Sequence, residues 1–129
     1  MLQLVNGVSI GAIYALFALG FTLVFSVLAR LNLAHAAVYA AGAYVGIELV
    51  DDAGLWLWVA LPLVFLAGGV LGVVIDRVGF APLAGRPDAH FGGLISSIAI
   101  GAMFVALLQQ RYGPQTRRFP PDAFPSKRF

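Results

Sequence analysis

Charges in this chain are confined to a few short intervals, and that spacing constrains the fold more than any other feature. No Asp, Glu, Lys or Arg occurs in 1–29, 31–47, 53–75 or 89–110. Crossing a hydrocarbon core about 30 Å thick takes roughly 20 apolar helical residues. Three of the four intervals reach that length, and 31–47 falls just short. A charge at the centre of a crossing costs about 2.5–3.5 kcal/mol on insertion scales, so the pattern suits lipid as the solvent. Only 11% of the 129 residues are charged, against about 25% in an ordinary soluble domain. With most of the length spent on crossings, no separate soluble domain fits.

The fold class expected is therefore all-α, a polytopic transmembrane bundle of about four apolar helices. Their spans are read as about 4–28, 33–50, 55–75 and 94–108, with a polar loop at 76–93. Residues 113–129, with Pro114, Pro120, Pro121 and Pro125 among Arg117, Arg118, Lys127 and Arg128, read as an extended, poorly ordered basic tail. The first run reads as a retained helix rather than a cleavable leader. Only Met1 precedes it, and the run far exceeds the about 7–15 apolar residues of a leader.

Within the first segment the small and polar residues recur at helical spacing: Gly7, Gly11, Ala15, Ala18, Thr22 and Ser26. Small residues let helix backbones approach closely in lipid, so this stripe reads as a packing face. Gly42 and Gly46 in the second segment, and Gly68, Gly69 and Gly72 in the third, read the same way. So do Ser97 and Gly101 in the fourth. Trp56 and Trp58 open the third segment where amphipathic rings favour the headgroup level. Pro62 is expected to bend or loosen that helix, and Gly92 and Gly93 to end the polar loop as breakers.

A single helix over 1–47 would be about 70 Å long, so the chain must turn near 28–35, yet neither Gly nor Pro stands there. Asn32 is the local candidate, its side chain accepting a backbone N–H at the start of the next helix. Arg30 is placed at the interface, snorkelling outward. Asn32 and His35 admit two readings: an interhelical hydrogen-bond pair or cap, or a break lining a translocation path, with Thr22 a further lining candidate. Irregular backbone at membrane depth is tolerated only against protein or a wet cavity.

Catalytic and metal chemistry find no support in the residue pattern. There is no cysteine, and His35 and His90 have no carboxylate cluster at ligand spacing. A phosphate-binding GxxxxGK[ST] is absent, and no basic stripe on a recognisable motif points to nucleic acid. Glu48 reads as a helix-end carboxylate beside Asp51 and Asp52. Arg30, Arg77 and Arg86 favour the ends that carry them inside and the N-terminus outside, against the pull of the basic tail.

At the junction the chain resembles a known family. Val5-Asn6-Gly7-Val8-Ser9-Ile10-Gly11-Ala12-Ile13-Tyr14-Ala15-Leu16, Leu31-Asn32-Leu33-Ala34-His35, Asp76-Arg77-Val78, Gly85-Arg86-Pro87, Leu94-Ile95-Ser96-Ser97-Ile98 and Tyr112-Gly113-Pro114 are similar, in order, to the permease subunits of branched-chain amino acid ABC importers. The chain departs from the family pattern at Ala36, Asp76, Ala81 and Ala84. The resemblance implies a multi-pass protein of the bacterial inner membrane, in contact with lipid. It implies three kinds of neighbour: a second permease subunit, two cytoplasmic ATPase subunits that bind the ATP, and a periplasmic substrate-binding protein. It covers only the N-terminal part of the family, which implies a fragment, a truncated gene or one half of a split subunit. The alternative reading is a small stand-alone membrane protein that self-associates through its glycine faces.

Overall fold

The computed structural model describes residues 1–119, and those residues form helices without strands. Four α-helices follow in order: α1 (Leu2–Leu28), α2 (His35–Asp51), α3 (Leu57–Ile75) and α4 (Ala89–Tyr112). Three stretches are long and apolar enough to cross a membrane: Leu2–Leu28, Leu57–Leu83 and Ala89–Tyr112. At 17 residues α2 is about 26 Å long, somewhat less than the hydrocarbon core. The molecule is an all-α membrane helical bundle.

Two elements differ from the sequence reading. The chain does not leave the helix at Asp76: α3 continues as a π-helical turn, Asp76–Phe80, and a 3-10 turn, Ala81–Leu83. Asp76 to Ala81 all carry a backbone N–H, and Pro82 falls in the first turn of the 3-10 segment, where its missing donor matters least. The polar loop thus shrinks to 84–88, and α4 begins at Ala89. Gly92 and Gly93 lie inside α4, where a Cβ on Gly93 would stand 3.5 Å from the Phe80 ring and one on Gly92 3.1 Å from Leu83. They serve close approach and not a turn.

The tail also differs where it is described. Gly113, at φ 75, ends α4, and the chain returns so that the Phe119 ring lies 3.6 Å from where a Cβ on Gly46 would be. The expectations for 120–129, including Pro120, Pro121, Pro125, Lys127 and Arg128, lie outside the described residues.

Packing is built on small side chains, as lipid-embedded helices require. Ala34, Ala37, Ala41 and Ala60 are buried together with Ile47, Ile75 and Phe80, and Ser97 is wholly enclosed. α2 runs antiparallel to α3, with Val64 seated 3.6 Å and 3.5 Å from the Cβ positions of Gly42 and Gly46. Along α4, α2 runs parallel: Ala34 meets Gly101 at one end, and Glu48 pairs with Arg111 at 3.1 Å at the other. Tyr44 and Tyr112 stack there at 4.6 Å, with the Arg117 guanidinium 5.4 Å from the Tyr112 ring centre. Glu48, in the last turn of α2, is thus paired across helices. α1 buries no residue, and among the described residues its partly covered positions fall from Phe17 onward, in its C-terminal half.

Candidate functional site

The break between α1 and α2 is the centre of the polar chemistry. It begins at Ala29, the only described non-glycine residue at positive φ (49°), whose N–H bonds to the Phe25 carbonyl at 2.8 Å. Asn32 then closes a local turn: its Oδ1 accepts the Ala34 N–H at 3.1 Å, and its carbonyl accepts the His35 N–H at 3.2 Å. Asn32 thus accepts a backbone N–H as expected, but ahead of the helix: the N-cap residue of α2 is Ala34, and no side chain caps that end. The turn itself is made by Ala29, which no sequence signal marks.

Beside the break stands Ser97 of α4, with no exposed surface. The Leu33 N–H donates to its Oγ at 3.2 Å. The hydroxyl in turn donates to the Leu94 carbonyl at 2.8 Å, with the Leu31 carbonyl also within reach at 3.4 Å. Arg30 does not snorkel away. Its Nη1 donates to the Phe80 carbonyl at 3.4 Å, where the positive charge complements the C-terminal end of the extended α3. Ser96 donates to the Gly79 carbonyl at 2.9 Å and ties α4 to the same π-helical turn.

His35 points the other way, against α1. Its Nε2 lies 3.3 Å from where a Cβ on Gly20 would be, so Gly20 is what admits the ring. Phe17 and Phe21 flank it with centroids at 5.2 Å and 6.0 Å, and Tyr39 meets Phe17 edge-on at 5.4 Å. These aromatic contacts tie α1 to α2. The sequence reading did not single out Phe17 and Phe21.

A groove of about 680 Å³ opens between α1, α2 and α3. Val24, Leu28, Val38, Leu61 and Val64 make its walls apolar, while Asn32, His35 and Tyr39 are its polar side chains. Gly42, Gly46, Gly68 and Gly72 all border it. The first two are also in contact with Val64, whereas a Cβ on Gly68 or Gly72 would meet nothing within 4 Å. The groove thus brings together Asn32, His35 and five of the singled-out glycines, Gly69 included.

Thr22 is not among them. Its hydroxyl turns back to the Ala18 carbonyl at 2.8 Å on an exposed face of α1. Gly7, Gly11 and Ala15 are exposed too, and Cβ atoms on the two glycines would find open space. Ser97 and Gly101 were legible as small residues at close-contact spacing. What they touch was not legible. Among the described residues no group of three His, Asp or Glu side chains is placed to hold a metal.

Comparison with known proteins agrees with this architecture. The profile of the family described as branched-chain amino acid transport system / permease component matches residues 3–126. The chain is 35% identical over 107 residues to the high-affinity branched-chain amino acid transport system permease protein LivH of Escherichia coli, covering 76% of this chain and 34% of that one. It is 34% identical over 91 residues to the corresponding BraD protein of Pseudomonas aeruginosa, covering 64% and 30%. LivH of Salmonella typhimurium is 32% identical over 106 residues, covering 76% and 34%. The chain spans 30% to 34% of the length of these relatives. No solved structure matches. The chain is a multi-pass membrane protein and belongs to the family of branched-chain amino acid transport system permease components.

Proposed function

We propose that this chain forms part of the membrane pore of an ATP-driven importer of branched-chain amino acids or related amides, and that the groove at the helix break belongs to the substrate path. One observation carries the reading: a backbone break between two apolar helices opens onto an apolar groove with Asn32 and His35 at its polar edge. Irregular backbone at membrane depth needs protein or a wet cavity beside it, and here α4 lies against the break and the groove opens next to it. The apolar walls suit an aliphatic side chain, and the amide and imidazole suit its polar end.

In this reading the chain works with a second permease subunit, two cytoplasmic ATPases that bind the ATP, and a periplasmic binding protein that delivers substrate. The exposed stripe of Gly7, Gly11 and Ala15 then faces a helix from outside this chain. Deleting the chain from its complete transport system should abolish uptake of radiolabelled leucine or of a related amide. Unchanged uptake of both would overturn the reading.

A further inference from the structure

We propose that Ser97 is a positioning residue of the pathway: its enclosed hydroxyl clasps the α1–α2 break to α4 and so fixes where Asn32 and His35 meet the groove. The proposal rests on the reading that the groove is part of the path.

Enclosure makes the clasp necessary. Ser97 has no exposed surface, so the backbone N–H that faces its hydroxyl finds no water there. In such surroundings an unsatisfied amide is costly. Residues 29–34 lie between two helices and cannot satisfy all their own groups. Asn32 serves Ala34, and Ser97 serves Leu33, with its hydroxyl also facing the Leu31 carbonyl.

The hydroxyl can do this because its proton is turned to its own helix, at the Leu94 carbonyl, leaving the oxygen to accept from Leu33. The fit around it is close on both sides. Gly101, the next residue on that face of α4, approaches Ala34 so nearly that a Cβ would lie 3.5 Å from its Cα, and Gly93 lies against Phe80 and Arg30. Ser97 thus holds the residue immediately after Asn32 and two before His35. Releasing Leu33 moves the segment that carries both.

The sequence contains no cysteine, so a single introduced thiol reports one site. Leu28→Cys and Val38→Cys place it on the groove on either side of the break, and Ala53→Cys places a control in the α2–α3 loop. Each is combined with Ser97→Ala in cells expressing the chain with the rest of its transport system. The readout is labelling by a small charged methanethiosulfonate in membrane vesicles. It should quicken roughly five-fold or more in the two groove reporters but not in the loop control, as expected when a buried N–H loses its acceptor. Leucine uptake per molecule of chain in the membrane, measured without the reporter thiols, should fall by a similar factor.

Ser97→Thr and Ser97→Val have the same shape and differ only in the hydroxyl. The threonine variant should stay near the parent in both measurements and the valine variant should follow alanine, a comparison that holds even if Ser97→Ala fails to accumulate. Equal behaviour of threonine and valine, or unchanged labelling of both groove reporters, overturns the clasp. Quickened labelling with undiminished uptake shows that the clasp exists but that the groove is not the path, and overturns the positioning role.

Discussion

Ala29 holds φ 49° and ψ 29°, a left-handed conformation in which the Cβ crowds the following carbonyl at a cost of roughly 1–2 kcal/mol. Glycine there removes the crowding but gives up more freedom in the unfolded chain, about 0.4–1 kcal/mol. Ala29→Gly is therefore expected to be neutral to stabilising, by up to about 1.5 kcal/mol. Ala29→Val puts a β-branched side chain in the same conformation and should destabilise by about 1–3 kcal/mol. Unfolding of the purified chain by sodium dodecyl sulfate in mixed micelles measures both. Valine tolerated as well as alanine would mean that the break turns elsewhere. The same crowding logic explains Gly20, which leaves just enough room for the His35 imidazole between Phe17 and Phe21.

Between elements, glycines that look alike in sequence separate into two kinds. Gly46 is buried, with Val64 and Phe119 closing over it, so Gly46→Leu must push α2 and α3 apart. Overpacking of that kind costs typically about 1–3 kcal/mol, and the same micelle unfolding should show it. Gly72 borders the groove with open space where a Cβ would go. Gly72→Leu should leave unfolding nearly unchanged while reducing leucine uptake, because the leucine side chain occupies the groove. Equal loss of stability in both variants would place Gly72 in a helix contact instead.

Across the whole molecule, the helix directions sort the connections into two ends. The break at 29–34 and the loop at 84–88 share one end, where Arg30 bonds to Phe80. Met1, the 52–56 connection and Gly113 share the other, where Glu48 pairs with Arg111. Arg30, Arg77 and Arg86 load the first end, which the positive-inside rule assigns to the cytoplasm. Ala53→Cys should then react with an impermeant thiol reagent in intact cells, and Ala84→Cys only after permeabilisation. The reverse pattern would invert the orientation.

What the sequence determined by itself is local in origin. Apolar length between charges depends only on neighbours along the chain, so the bundle class and the four helical segments were legible, as was a turn near Asn32. Partnership is not local. A hydroxyl in an apolar run reads the same whether it bonds only to its own helix, as Thr22 does, or clasps a backbone 64 residues away, as Ser97 does. Gly92 and Gly93 read as breakers because glycine frees the backbone, but packed against Leu83 and Phe80 they extend a helix through what looked like a loop. Only the tertiary structure decided which small residues touch a neighbour and which border open space. In lipid, apolar burial distinguishes little between one helix face and another, so close contact and the pairing of backbone groups at the break select the arrangement.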